Sequence, residues 1–256
     1  PAVVDVAAGF GELWSTRLFR AYFPAEQTRP GQVRWVDARE VLVVERGPLG
    51  PLVQWDESRR LLQAAVAAEP AETLIVTGFV ARDPAGRQTN LGRNGSDFSA
   101  SIFGALLDAK EIHIWTDVDG VLSADPRRVP NAQVIDSLSY NEAMELAYFG
   151  AKVLHPSTIL PAVAKNIPVR ILNSQRPGTE GTLITANRPA GGHTVTGMAS
   201  KTGLTAVNIT STRMLMAYGF LRRVFEVFER HKTSVDVVAT SEVSVSVTID
   251  DRRRLP

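Results

Sequence analysis

The sequence has no cysteine among its 256 residues. Disulfide bonds, thiolate nucleophiles and cysteine-based zinc sites are therefore excluded. Histidine is also scarce, and the four histidines do not follow the spacing of metal ligands. The chemistry of any site must come from carboxylates, hydroxyls, lysine, arginine and the backbone.

The sequence also lacks an excess of either charge, since 28 basic residues face 27 acidic ones. This balance gives no reason to expect nucleic acid or a membrane surface as a partner. No apolar run approaches the roughly 20 residues that a membrane helix needs. Residues 1–8 lack the basic region and apolar core of a signal peptide. We expect a globular cytoplasmic protein, which 44% hydrophobic residues also favour.

Hydrophobic patterns along the first three quarters of the chain alternate between strand and helix. This order predicts an α/β fold with a mainly parallel central sheet. The predicted strands are residues 1–8, 33–36, 41–44, 73–80, 111–115, 168–173 and 182–184, and the predicted helices are 12–23, 57–68, 96–109, 139–148 and 157–165.

A second, smaller domain is predicted after the Pro- and Gly-rich residues 187–192. Its pattern is a strand at 204–209, an amphipathic helix at 220–231 and strands at 235–238 and 243–249. Apolar and polar residues alternate strictly in the last strand, so one of its faces should be buried. We place the domains at 1–187 and 193–256, the second being a partial α+β module.

Residues 89–97 (TNLGRNGSD) lie between a predicted strand and a predicted helix. Glycines allow a ligand to approach the backbone, and free N–H groups at a helix start favour an anion. Arg93 adds a forked donor for a carboxylate or phosphate, and Asp97 could organise a cation. The alternative is a tight turn in which Ser96 or Asp97 only caps the helix.

Three further segments carry candidate ligand-binding side chains. Thr116 and Asp117 follow a predicted buried strand, where α/β sheets place ligands, and Arg127 could meet phosphates. The alternative there is an acidic loop whose aspartates make local turns. Lys152 could reach a phosphate, and Glu12 could hold an ammonium group, although ordinary helix starts also favour glutamate.

Taken in order, these segments resemble the aspartate kinases of the amino-acid-kinase superfamily. The likeness covers residues 11–13, 91–97, 115–120, 149–156 and 177–179. It continues into 235–244, which look like the lysine-sensing segment of the ACT regulatory domains in that family.

The resemblance implies transfer of the ATP γ-phosphate to the side-chain carboxylate of aspartate, with ATP and Mg²⁺ as cofactors. It implies that Glu12 and Arg93 hold the ammonium and α-carboxylate of aspartate. Phe79 and Ser96 would lie nearby, and Asp97 would position a catalytic lysine. The residues that would contact ATP are Thr116, Asp117, Arg127 and Lys152. The acceptor carboxylate is ionised at pH 7, so no strong general base is required.

Lysine is the feedback effector that the resemblance implies, bound between ACT-like modules of two subunits in a homodimer. Asp236 and Glu242 bracket residues 240–241, and two carboxylates could attract the ammonium groups of the ligand. The full set of expected effector contacts is Met214, Phe220, Leu221, Val235, Asp236, Thr240, Ser241 and Glu242. The alternative is an ordinary half-exposed sheet with polar residues on its wet face.

Two features depart from the family pattern. The opening Lys-Phe-Gly-Gly-Thr/Ser motif, whose lysine stabilises the transferring phosphoryl group, is absent, and Leu122 replaces a tyrosine found in many members. A catalytically inert fragment that binds an amino-acid effector is therefore an alternative function. A kinase of acetylglutamate or glutamate is another alternative function. Residues 93–97 and the ACT-like segment argue against it. Fusion of the parent polypeptide to homoserine dehydrogenase or diaminopimelate decarboxylase stays open.

Overall fold

The computed structural model describes residues 2–23, 33–47, 50–148, 155, 158–187, 195–214 and 217–249. The chain forms two compact units, Pro1–Ala199 and Ser200–Pro256. The predicted linker at 187–192 lies almost wholly outside the described residues. No helix in the described ranges is long and apolar enough to cross a membrane.

The first unit begins with one long helix, α1 (Ala2–Tyr22). The strand predicted at residues 1–8 is therefore wrong, and the helix predicted from residue 12 begins ten residues earlier. Gly9, which we expected to end a strand, lies inside α1. A Cβ there would meet Gln88 Nε2 at 2.5 Å and Val80 Cγ1 at 2.7 Å. Glycine at this position allows the helix to pack closely on the neighbouring strands.

Strands and helices then alternate, as the α/β prediction requires. The elements are β1 (Val33–Val36), α2 (Ala38–Val41), β2 (Val44–Gly47), β3 (Gly50–Val53), α3 (Trp55–Ala68), β4 (Thr73–Val76), β5 (Val80–Arg82), β6 (Gln88–Asn90), α4 (Gly95–Leu106), β7 (Ile112–Thr116), β8 (Ser137–Ser139), α5 (Tyr140–Tyr148), α6 (Leu160–Lys165), β9 (Val169–Asn173) and β10 (Thr182–Thr185).

The described strands of this unit lie in small sheets with mixed pairing. The largest has the order β7-β9-β10-β8, in which β7 with β9 and β10 with β8 are parallel, while β9 and β10 are antiparallel. β1 pairs with β4 in parallel, and β2–β3 and β5–β6 are antiparallel pairs. The α/β class is confirmed, and parallel pairing is found in two of these sheets.

Two further strand predictions fail at identifiable residues. The strand predicted at 41–44 is the end of α2 followed by the start of β2. Asp37 begins that helix, because its side chain accepts a hydrogen bond from the Arg39 N–H. The strand predicted at 73–80 splits into β4 and β5, because Phe79 has a φ of 66° and breaks the extended backbone.

The core of the first unit consists of two clusters of buried side chains. One surrounds the four-stranded sheet and includes Ala105 of α4. The other includes Ile102, Phe103 and Leu106 of the same helix. Since α4 packs into both clusters, its position is fixed along its length, and so is the loop that leads into it.

The second unit contains β11 (Thr205–Thr210), a 3-10 turn (Thr212–Met214), α7 (Phe220–Arg230), β12 (Val238–Thr240) and β13 (Ser244–Ile249). Its antiparallel sheet has the order β11-β13-β12. The alternation predicted for residues 243–249 is confirmed for β13, since Val245, Val247 and Ile249 are buried. It is wrong for Val243, which precedes the strand and is 40% exposed. The strand predicted at 235–238 begins only at Val238.

Candidate active site

Three segments that are distant in sequence meet at the start of α4. The Ser96 hydroxyl donates to Glu12 Oε1 at 3.4 Å. A Cβ on Gly78 would lie 3.6 Å from Ser96 Cα and 3.9 Å from Glu12 Oε2. A carboxylate and a hydroxyl therefore point into the space beside the backbone of residues 78–79.

Phe79 is held against α4 in a left-handed conformation that bulky residues rarely adopt. Its N–H donates to Ser99 Oγ at 2.8 Å, and that hydroxyl donates to the carbonyl of Gly95 at 2.8 Å. A Cβ on Gly95 would lie 2.7 Å from the Phe79 ring. Glycine is therefore required at position 95, where it lets the ring pack on the first turn of the helix.

Arg93 sits in a loop whose backbone is fixed on both sides. Gly92 and Asn94 have φ values of 74° and 55°. The Gly92 N–H donates to Asn90 Oδ1 at 3.0 Å, and the Gly95 N–H donates to the Gly92 carbonyl at 3.2 Å. Within the described part of the chain, no hydrogen bond or ion pair holds the exposed guanidinium of Arg93. This cationic side chain is therefore available to an anionic ligand.

A cavity of about 860 Å³ borders Arg93. Its other lining residues include Trp55, Phe98 and Leu160, which give it a mainly apolar wall. Arg93 lines this cavity, whereas Glu12, Ser96 and Asp97 do not.

Neither Ser96 nor Asp97 caps α4. The N-cap residue is Asn94, which makes no side-chain capping bond, and Ser96 bonds to Glu12 instead. Burial raises the pKa of the Asp97 carboxyl above its usual range. The described residues give Asp97 no cationic partner, so its ionised form would be stabilised by a cation brought next to it.

Thr116 and Asp117 stand at the carboxyl end of β7. Thr116 Oγ1 donates to Asp117 Oδ1 at 3.2 Å, and the Thr116 carbonyl accepts from Ser174 N at 2.8 Å and Ser174 Oγ at 2.9 Å. β7 and β9 are parallel, with Thr116 opposite Asn173. The two residues therefore lie at the edge of parallel strands where such folds bind ligands.

The loop after β7 is tied to the end of β9. Asp119 accepts from Asn173 Nδ2 at 2.8 Å and from Arg176. Sequence reasoning missed these residues, since Asn173 and Arg176 carry no motif of their own. The only sequence signal for these two residues was the acidic loop, because an aspartate just past the end of a strand needs a hydrogen-bond donor.

Arg127 is engaged by Asp125. Its Nε and one terminal nitrogen donate to the two carboxylate oxygens at 3.0 and 2.8 Å, and its N–H donates at 3.0 Å. These bonds hold the pKa of Asp125 below its usual range, chiefly through the Arg127 side chain. The local-turn alternative is thus correct for Asp125, while the outer face of Arg127 stays exposed. Lys152 lies outside the described residues.

The structure joins Glu12, Phe79 and Ser96 around the start of α4. It joins Thr116 and Asp117 at the end of β7. Among the described residues, no hydrogen bond or ion pair links these two groups, and their convergence on one pocket stays a prediction. No group of three His, Asp or Glu side chains placed to hold a metal ion occurs in the described ranges.

The expected effector carboxylates of the second unit have different surroundings. Asp236 is nearly buried, and its Oδ2 lies 3.5 Å from Lys201 Nζ. Glu242 is exposed. The hydroxyls of Ser241 and Ser244, on either side of Glu242, are 2.7 Å apart where the chain turns from β12 into β13. Glu242 is thus the more accessible carboxylate for a ligand ammonium.

The apolar effector candidates lie around the start of α7. Phe220 is its first residue and lines a cavity of about 800 Å³ between α7 and β11. Leu221 is 40% exposed and does not line that cavity. Met214 ends the 3-10 turn, and Met214 and Val235 are half-buried.

The chain matches one protein family and is similar in sequence to known proteins. The family described as "Amino acid kinase family" matches residues 2–173, from the start of α1 to the end of β9. Aspartokinase 3, chloroplastic, of Arabidopsis thaliana is 42% identical over 258 residues, covering 96% of this chain and 44% of the relative. The resemblance inferred from the motifs is thereby confirmed.

Two solved structures are similar over nearly the whole chain. E. coli aspartokinase III in complex with aspartate and ADP (R-state) has a TM-score of 0.81 and 37% identity. The same enzyme with lysine and aspartate (T-state) has a TM-score of 0.73 and 35% identity. Each comparison covers 98% of this chain and 56% of the other. The chain thus spans about half the length of the relatives that it matches.

Proposed function

This chain belongs to the amino acid kinase family, and from that premise we propose that it is part of an aspartate kinase. The reaction is transfer of the ATP γ-phosphate to the side-chain carboxylate of aspartate, giving 4-phospho-L-aspartate. It would be the first step in the biosynthesis of lysine, threonine and methionine. The observation that carries the proposal is the contact of Glu12 with Ser96, three residues from an exposed Arg93 that has no hydrogen bond or ion pair among the described residues.

Such a site fits the charges of an α-amino acid. The Glu12 carboxylate accepts hydrogen bonds from the substrate ammonium, and the Arg93 guanidinium donates two parallel bonds to the α-carboxylate. Phe79 and Ser96 line the space between them. The similarity to an E. coli enzyme crystallised with aspartate and ADP supports this choice of substrate.

ATP is proposed to lie at the end of β7. Thr116 and Asp117 bond the nucleoside part, and Arg127 and Lys152 meet its phosphates. Arg127 keeps an exposed face while Asp125 orients the other. The guanidinium would therefore be oriented before a phosphate binds, which lowers the entropy cost of binding.

Charge neutralisation is the main task of the protein in this reaction. The acceptor carboxylate is already ionised, so the enzyme must hold it in line with the γ-phosphorus and offset the repulsion. Mg²⁺ would enter with ATP and neutralise the phosphate oxygens, for which one or two protein carboxylates suffice. Asp97, which has no cationic partner among the described residues, fits beside a catalytic lysine as the family pattern implies.

Feedback by lysine is proposed for the second unit, acting in a homodimer formed through these ACT-like units. The sheet ends in β11 and β12, whose outer edges have no strand partner in the described part of the unit. Open edges of this kind favour pairing with another chain. The E. coli relative crystallised with lysine supports the effector.

A single-turnover experiment tests the phosphotransferase. The chain and its complete parent polypeptide are mixed in turn with radiolabelled ATP, Mg²⁺ and one acceptor (aspartate, glutamate or acetylglutamate), and acyl phosphate is trapped with hydroxylamine. We expect the parent to give aspartyl hydroxamate and to leave glutamate and acetylglutamate unmodified. Phosphorylation of either of those acceptors would instead identify another amino-acid kinase.

The second candidate function is an inert fragment that binds an effector. The cavity of about 800 Å³ beside Phe220 favours it, because a ligand could bind there whether or not the first unit transfers phosphate. This second function would be established if the parent transfers phosphate to aspartate while this chain transfers none but still binds lysine.

A further inference from the structure

Three consecutive residues at the end of the first unit contact its other elements, just before the second unit begins at Ser200. Thr196 Oγ1 donates to Glu142 Oε1 at 2.8 Å. The Met198 N–H donates to the Ser123 carbonyl at 2.8 Å. Between them, a Cβ on Gly197 would lie 3.3 Å from side-chain atoms of Ile135 and Leu146. We call residues 196–198 the linking segment.

Glu142 is rigidly held by the start of α5. Its Oε2 accepts from Ser139 N and from Ser139 Oγ, both at 2.8 Å, while the Glu142 N–H donates to Ser139 Oγ at 3.2 Å. This reciprocal arrangement is a capping box, S-x-x-E. Since one carboxylate oxygen is used by the cap, the other is presented to Thr196 in a fixed direction.

Ser123 belongs to the loop of residues 121–135, which also carries Arg127. The loop is closed by hydrogen bonds from Ser123 N to Gln133 O at 2.8 Å and from Gln133 N to Ser123 Oγ at 3.0 Å. Arg127 is only four residues beyond Ser123 in the same loop. A displacement of the linking segment would therefore move the closed base of the loop that is proposed to reach the ATP phosphates.

We propose that Glu142 is a positioning residue that couples the second unit to the nucleotide loop. It touches no substrate, and acts by holding Thr196, so that the linking segment stays seated on Ser123. Effector binding that pulls on the chain at Ser200 would unseat the segment and shift the loop. The seated and unseated arrangements supply the two states that coupling between sites requires. This inference rests on the proposed function for its nucleotide and its effector.

The test uses the complete parent polypeptide and a graded pair of substitutions. Thr196→Val removes the hydroxyl while keeping the shape, and Thr196→Ser keeps the hydroxyl. We expect Thr196→Val to lower the lysine concentration for half-inhibition at least about fivefold, because the unseated state that lysine favours is already more populated, and to raise the ATP KM about threefold. The aspartate KM should stay within twofold of the wild-type value, and Thr196→Ser should behave as wild type.

Two further variants separate coupling from general damage. Glu142→Gln leaves one side-chain oxygen where three donors now converge, so it should reproduce the Thr196→Val effects. The double variant should add little to either single one, because both break the same contact. Thr185→Val is the matched control, since among the described residues the Thr185 hydroxyl bonds only locally, to the Asn187 carbonyl at 3.0 Å.

Amide hydrogen exchange of Met198 shows whether the contact has been broken. If that amide exchanges faster in Thr196→Val while lysine inhibition and ATP KM stay at wild-type values, the proposal is overturned. If the wild type transfers no phosphate to aspartate, the proposed function fails instead. Calorimetric ADP binding then decides the coupling: weaker binding in Thr196→Val than in Thr196→Ser supports it, and equal binding overturns it.

Discussion

The Arg93 side chain is exposed, charged and without a partner in the described residues, and its loop backbone is already ordered. Most other arginines of the first unit lie against a carboxylate, as Arg60 does with Glu57 at 2.7 Å. An ordered loop that presents a free guanidinium is typical of a binding site, because structural arginines are usually paired.

In the complete polypeptide, Arg93→Ala should raise the aspartate KM and leave the ATP KM unchanged. Loss of a charge-assisted pair costs roughly 1.5–3 kcal/mol, or about ten- to a hundredfold in affinity. Steady-state kinetics with each substrate varied in turn make the measurement. Arg60→Ala, at an exposed position of α3, is the control. An unchanged aspartate KM together with a raised ATP KM would mean that Arg93 serves the nucleotide.

Asp97→Asn should raise stability at neutral pH while lowering kcat. Burial raises the folded-state pKa of Asp97, so its contribution is favourable in acid and is lost as pH rises through that pKa. Asparagine removes the buried charge. The melting temperatures of Asp97→Asn and of the wild type, measured from neutral to acid pH, should therefore differ most at neutral pH. The difference should vanish in acid.

Asp83→Asn provides a control of opposite sign. The backbone N–H of Arg87, followed by its side chain, lowers the Asp83 pKa. Its favourable contribution is present at neutral pH and is lost as pH falls. A neutral-pH loss of stability in Asp97→Asn, similar to that in Asp83→Asn, would contradict the burial argument.

Among the elements, the join between β9 and β10 depends on one glycine. Gly181 has a φ of 67°, and a Cβ there would lie 1.9 Å from the Ile171 carbonyl oxygen. Gly86 also has a positive φ, 79°, but an added Cβ would meet nothing within 4 Å. Alanine substitutions at the two glycines therefore separate the cost of backbone strain from the cost of steric overlap.

Gly181→Ala should destabilise the chain far more than Gly86→Ala. Both substitutions place alanine in the left-handed region, at about 1–2 kcal/mol each. The overlap with β9 should add at least about 2 kcal/mol to the cost of Gly181→Ala. Denaturant unfolding of both variants measures the difference. Equal free energies of unfolding would show that β9 moves aside freely.

Sequence periodicity predicted α3, α4, α5 and β13 to within a few residues, because each has an apolar face with a clear period. It failed at residues 1–8, where valines suggested a strand although the segment is helical and packs through Gly9. It also failed to split residues 73–80, since the conformation of Phe79 is imposed by Ser99 and Gly95 on another element. Tertiary contacts decided both cases.

The site was predictable only in pieces. Residues 89–97 and 115–117 carry local signals, so they were found from sequence. The contact between Glu12 and Ser96 joins residues that are far apart in the chain, and no local pattern encodes it. The same holds for the bond between Thr196 and Glu142, where the sequence shows only a possible capping box.

For the whole molecule, the division at Ser200 separates the proposed chemistry from the proposed control. Calorimetric titration of the complete polypeptide with lysine, threonine and methionine should show lysine binding alone. Glu242→Gln should weaken lysine binding about tenfold, since the exposed carboxylate would lose a charge-assisted bond.

Glu226→Gln is the matched control for Glu242→Gln, because Glu226 pairs with Arg222 on the surface of α7. Threonine binding without lysine binding would refute the effector assignment. Lysine binding of equal strength in Glu242→Gln and wild type would instead point to Asp236, which would then have to exchange Lys201 for the ligand.

The left-handed residues on either side of Arg93 have a consequence for inhibitor design. Gly92 and Asn94 set the direction in which the arginine leaves the backbone before any ligand arrives. A rigid compound that carries a carboxylate at the matching angle would thus need no adjustment of the loop. Its affinity should come mainly from slow dissociation, whereas flexible aspartate analogues would lose part of theirs to their own ordering.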